Sequence, residues 1–100
     1  MSLRFEWDPN KAAANLVKHE VSFEEAMTVF ADPLARIFPD EEHSVDELRE
    51  IIIGHSAGHQ LILVYFTGID DRVRIFSARK ATRTERKDYE ENVGTSEASS

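Results

Sequence analysis

His19, Arg49 and Arg79 are the residues of this chain best equipped for chemistry, with Arg74, Lys80 and Tyr65 as further polar candidates. His19 follows Lys18 at the end of a helical pattern, where the helix dipole favours a protonated imidazole. An imidazole beside a cation suits proton transfer near neutral pH; a helix-terminal histidine can equally do no more than neutralise terminal carbonyls. Arg49 and Arg79 lie in strand-like stretches that are otherwise apolar. An arginine there is either paired with a carboxylate, for which Glu47 and Glu50 are near in sequence, or aimed at an anion. Tyr65 and Tyr89 read as packing residues with a polar tip.

Two patterns promise chemistry and do not deliver it. Gly54-His55-Ser56-Ala57-Gly58 fits the spacing of a nucleophile elbow, but an elbow needs a parallel strand entering a helix in a far larger sheet. Here strand-like sequence lies on both sides, so Ser56 belongs to a hairpin. His55 and His59 are four apart, a metal-ligand spacing for a helix rather than a turn, with no third ligand evident. With no cysteine, thiolate metal sites, disulfides and cysteine nucleophiles are excluded.

Charge is distributed unevenly. The net charge is −7, which alone argues against a nucleic-acid partner. Yet between positions 72 and 87 stand Arg72, Arg74, Arg79, Lys80, Arg83, Arg86 and Lys87 against Glu85 alone. The remainder is therefore more acidic than the total, with a concentration around Asp40, Glu41, Glu42, Asp46, Glu47 and Glu50. A basic stripe attracts phosphate within about 10 Å, the Debye length at 0.1 M salt, whatever the far side carries.

These residues need a scaffold. One hundred residues, 41% hydrophobic and 31% charged, make one globular domain too small for a TIM barrel or a doubly wound pair of halves. The longest apolar run, Leu61 to Phe66, is strand-sized, and no charged segment leads into an apolar leader. The expectation is a cytoplasmic chain with no membrane contact. Leu3 to Trp7 reads as a first strand. Asp8 and Pro9 suit the cap and first position of a helix running to His19-Glu20 with a stripe of Ala13, Leu16 and Val17. Ser22 and Glu25 form a capping box for a second helix that buries Phe23, Ala26, Met27 and Phe30 until Asp32-Pro33 ends it. Strand patterns follow at 34–38, 47–54, 59–67 and 72–79, joined by a turn at 55–58, with Gly58 able to supply a positive φ, and another at 68–71. Thr82 and Glu85 repeat the capping-box spacing and open a last helix toward Asn92. The expected architecture is α+β: an antiparallel sheet of four to five strands with the helices on one face. Residues 1–93 form the domain and 94–100 a flexible tail.

Read together, the polar and apolar positions form a series. Phe5-Glu6-Trp7-Asp8, Lys11, Asn15, Lys18-His19, Val21 to Ala26 and Val29-Phe30 open it. Glu47-x-Arg49, Ile53-Gly54-x-Ser56, Val64-x-Phe66-Thr67, Arg74-Ile75-x-Ser77-Ala78-Arg79-x-Ala81 and Glu85-Arg86-x-x-Tyr89 complete it. From about residue 5 to residue 90 this series resembles the BrnT family of toxins from type II toxin–antitoxin pairs. The family usually has glycine where this chain has Glu20, and commonly arginine where it has His59. The resemblance implies a RelE-like fold with two N-terminal helices and one C-terminal helix flanking the sheet. It also implies a ribonuclease that inhibits translation and is silenced by a small BrnA-like antitoxin, through which alone DNA is met. On this expectation the partners are RNA and the antitoxin, self-association is left open, and no metal or cofactor takes part. His19, Arg49 and Arg79 would be catalytic, with Arg74, Lys80 and Tyr65 binding substrate as a ribose 2′-hydroxyl attacks the adjacent phosphate. The rival expectation is a non-catalytic interaction module, a co-repressor subunit with a decayed site, suggested by the sparse apolar face of the last helix and the acidic exterior.

Overall fold

The computed structural model describes residues 3–43 and 47–99, with the side chains of the last helix described as far as Asn92. Local chemistry sets most element boundaries. Asp8 accepts the N–H of Asn10 at 2.8 Å and Pro9 takes the first helical position, so α1 runs Pro9–His19. Ser22 Oγ accepts the N–H of Glu25 at 3.0 Å and starts α2, Phe23–Thr28. A 3₁₀ turn over Val29–Ala31 continues its buried face until Asp32, whose carboxylate accepts the N–H of Leu34 at 2.9 Å. Only half of the expected capping box forms at Ser22. The Glu25 carboxylate reaches across to Ser56 Oγ at 2.7 Å and pins the following hairpin instead.

Five strands make one sheet: β1 (Arg4–Glu6), β2 (Arg36–Pro39), β3 (Glu50–His55), β4 (Leu61–Ile69) and β5 (Arg72–Lys80). Their spatial order is β1-β5-β4-β3-β2. The chain-adjacent pairs are antiparallel, as tight turns require. β1 lies parallel to β5, pairing Phe5 with Val73, so the sheet is mixed rather than wholly antiparallel. That pairing joins distant parts of the chain, which no turn signal encodes. The positive φ of the β3–β4 hairpin falls on His59 at 65° rather than on Gly58. Ser56 accepts the N–H of His59 at 2.9 Å and donates its own N–H to Gln60, the pattern of a turn followed by one left-handed residue.

The helices do not share a face. Val21, Phe23, Ala26 and Val29 pack on Ile52, Ile62, Val64, Val73, Ile75 and Ala78. The alternate positions Ile51, Ile53, Leu61 and Leu63 form a second cluster with Tyr89 of the last helix, α3 (Arg83–Ser99). The expectation of helices on one side is corrected by this: β4 reads as a continuous apolar run because both its faces are covered. The expected stripe of α1 is corrected too. Leu16 and Val17 are exposed, and the residue that α1 buries is Asn15. Its amide donates to the carbonyls of Val21 and Ala78, both at 2.9 Å, and accepts the Ala78 N–H at 3.1 Å, tying α1 to β5. Among the described residues, no helix is long and apolar enough to cross a membrane. The flexible tail expected over 94–100 lies outside the described side chains.

Candidate active site

A cavity of about 330 Å³ opens beside the sheet, lined by Lys11, Asp40, His43, Arg49, Tyr65, Phe76, Ser77 and Arg79. A β-bulge shapes it. Tyr65 of β4 faces Ser77 and Phe66 faces Ile75, so Phe76 is the extra residue of β5 and its ring is turned toward the cavity. The Arg49 guanidinium lies over this ring at 4.0 Å, and Lys11, from the first turn of α1, stands 5.5 Å from its centroid. Arg49 precedes β3, and its backbone carbonyl accepts the Asp40 N–H at 2.9 Å, which brings the segment after β2 to the rim. Arg49 Nε is also 3.8 Å from Glu47 Oε1.

From that rim comes a pair the sequence reading did not single out. Asp40 is buried, and its Oδ2 accepts a hydrogen bond from His43 Nδ1 at 2.8 Å. A carboxylate that accepts at one ring nitrogen fixes the tautomer and leaves Nε2 as the nitrogen for exchange with a reacting group.

On the other wall, Arg79 is gripped from α3. Glu85 Oε1 accepts from Nη1 and Oε2 from Nη2, each at 2.8 Å, and the Tyr65 hydroxyl lies 3.3 Å from Nη2. The hydrogen bond from Arg79 is the chief reason the Glu85 carboxyl is lowered to about 2, and the same contact raises the Arg79 guanidinium further above its ordinary value. Glu85 thus stays ionised at any pH where RNA is handled. Under the same helix, burial pushes the Tyr89 phenol above its usual value, with the Asp32 charge adding to the effect.

Of the six residues proposed from sequence, the structure brings Arg49, Arg79 and Tyr65 to this cavity and leaves three elsewhere. Arg74 donates to Glu6 Oε2 at 2.9 Å beside β1, five residues from Arg79 and about 16 Å along the strand. Lys80 follows Arg79, so strand alternation turns it to the opposite face. His19 ends α1, eight residues and about 12 Å of helix beyond Lys11. Beside Arg49, Arg79 and Tyr65 the cavity is lined by an imidazole and a cation absent from the sequence-derived set, His43 and Lys11. The elbow-like Ser56 is a structural pin, buried and donating to Glu25, as the hairpin reading required.

A five-stranded α+β domain that gathers cations, an imidazole–carboxylate pair and two aromatic rings in one cleft has the makings of a small anion-processing enzyme. Comparison with known proteins narrows that class. The family model described as "Ribonuclease toxin, BrnT, of type II toxin-antitoxin system" matches residues 7–85, and the chain belongs to this family. The fold is similar to that in the 1.1 Å crystal structure of the Brucella abortus ribonuclease toxin BrnT. The TM-score is 0.64 at 24% identity, over 82% of this chain and all of that one. Comparison with curated proteins gives no match.

Proposed function

We propose that this chain is an endoribonuclease that cleaves RNA by metal-independent transesterification in the Arg49–Arg79 cavity. The observation that carries the reading is the convergence of Lys11, Arg49, Arg79 and the His43–Asp40 pair on one cleft in a member of a ribonuclease toxin family. In the reaction the ribose 2′-oxygen bonds to phosphorus as the P–O5′ bond breaks, giving a 2′,3′-cyclic phosphate and a free 5′-hydroxyl. Two protons move, one off the 2′-hydroxyl and one onto the leaving oxygen. His43, oriented by Asp40, takes one of these steps. The guanidinium groups hold the non-bridging oxygens where negative charge develops, and they keep their charge throughout. Phe76 and Tyr65 offer ring faces on which a neighbouring base stacks. The 2′-hydroxyl requirement confines the chemistry to RNA. The cellular setting is the cytoplasm, where RNA cleavage inhibits translation until a BrnA-like antitoxin binds and silences the chain.

The test is cleavage of a short RNA by purified protein, with and without chelator, beside Arg49→Ala, Arg79→Ala and His43→Ala. Each variant is expected to lose about a hundredfold or more in kcat/KM, the scale of a lost charge-stabilising or proton-transferring group. Chelator is expected to change nothing. Activity that vanishes with chelator overturns the metal-free mechanism. Wild-type rates in all three variants overturn the site, and absence of cleavage by the unaltered chain favours the interaction-only reading.

A further inference from the structure

We infer that Glu85 is a positioning residue for the cleavage reaction: it aims the Arg79 fork and makes the first turn of α3 part of the site. This rests on the reading of Arg79 as a phosphate-facing cation. Two parallel bonds of 2.8 Å from one carboxylate fix the plane of a guanidinium as well as its place. The carboxylate is itself held. Glu85 Oε1 accepts the Thr82 N–H at 2.8 Å, and the Glu85 N–H bonds Thr82 Oγ1 at 3.1 Å, a complete capping box at the start of α3. Glu85 therefore cannot drift without opening that turn, and Arg79 cannot turn without leaving Glu85. The Lys80 carbonyl at 3.4 Å from Nη1 and the Tyr65 hydroxyl at 3.3 Å from Nη2 take the remaining Nη hydrogens, so Arg79 meets an anion as a fixed positive charge and through Nε–H. A fork fixed before substrate arrives needs no reorganisation when charge develops on phosphorus. Lys11 and Arg49 reach the same cavity beside the Phe76 ring, 5.5 Å and 4.0 Å from its centroid.

Glutamine separates this role from helix capping. Glu85→Gln keeps an oxygen for the Thr82 N–H, since glutamine also serves in the capping box. It sets an amide NH₂ against Arg79 Nη2 and so frees the fork to swing. Thr82→Ala does the converse: it removes the Oγ1 half of the cap and keeps the backbone N–H that holds Glu85 Oε1, so both Glu85 oxygens stay in place for Arg79. Single-turnover RNA cleavage, read as kcat and KM, is measured for these two variants, for Arg79→Ala and for the Glu85→Gln/Arg79→Ala double variant. Glu85→Gln is expected to lower kcat about tenfold while KM stays within about twofold. Thr82→Ala is expected to lower the thermal midpoint with kcat within about twofold, and Glu85→Gln is expected to add nothing to Arg79→Ala. An equal loss of kcat in Thr82→Ala, an undiminished effect of Glu85→Gln without Arg79, or wild-type kinetics in Glu85→Gln overturns the inference alone. Wild-type cleavage by Arg79→Ala overturns the assignment of Arg79 and this inference with it.

Discussion

Glu20 stands where α1 must reverse direction, at φ 58°, with its N–H on the Leu16 carbonyl at 2.9 Å. A side chain in that left-handed region is strained, and glycine is the residue that relieves it. The glycine usual at this position in the resembled family thus has a physical reason, and this chain departs from it at some expense of stability. Glu20→Gly is expected to raise unfolding stability by about 0.5–1 kcal/mol, read from the urea midpoint, with RNA cleavage unchanged because Glu20 is remote from the cavity. A midpoint that stays put or falls would show that the strain is relieved elsewhere. The same scale explains which site residues were legible. Arg49 and Arg79 stand out because a cation in an apolar strand is conspicuous. His43 does not, because its partner Asp40 sits in an acidic run where every carboxylate looks alike, and only burial distinguishes it. His19 stands out because it ends a helix and follows Lys18, two local signals that do not say which surface the end of α1 adjoins.

At the scale of elements, α1 is held less by oil than by one amide. Asn15 serves Val21 from the helix side and Ala78 from the sheet side, and Ser77 Oγ adds a bond at 3.2 Å. Asn15→Ala removes partners from buried backbone groups and is expected to destabilise the fold by about 2–4 kcal/mol, measured by chemical denaturation. Asn15→Leu restores apolar volume but no partner, so it should rescue little; full rescue would mean that packing, and not the hydrogen bonds, docks the helix. Helix starts, strand runs and turns were legible because caps and alternation are local. The stripe of α1 was not, because periodicity counts Leu16 and Val17 as inward and Asn15 as outward, and an amide satisfied on several sides inverts that rule. The side taken by α3 was equally hidden. Tyr89 is its buried apolar anchor among the described side chains, and one aromatic residue does not say which face of a sheet it will find. The bulge at Phe76, on which the cavity depends, follows from a register between strands that neither strand spells out alone.

For the molecule as a whole, a net charge of −7 surrounds a cavity lined by Lys11, Arg49 and Arg79, and the two act over different distances. The protein measures 42 × 29 × 29 Å. At about 0.01 M salt the Debye length is about 30 Å, so an approaching RNA senses the whole molecule and is repelled. At about 0.15 M it shrinks to about 8 Å, which hides the acidic exterior while the cavity cations still act at contact. Further salt then weakens phosphate binding itself, in proportion to the few phosphates held. The expected outcome is a kcat/KM for a short single-stranded RNA that rises from about 0.01 M to about 0.1 M salt and falls beyond it. Neutralising Glu41 and Glu42, exposed beside the rim, should flatten the rising limb and leave the falling one. A decline from the lowest salt onward would instead mean that the basic stripe from Arg72 to Lys87 governs the field at long range, so that the acidic exterior serves the protein partner rather than the encounter with RNA.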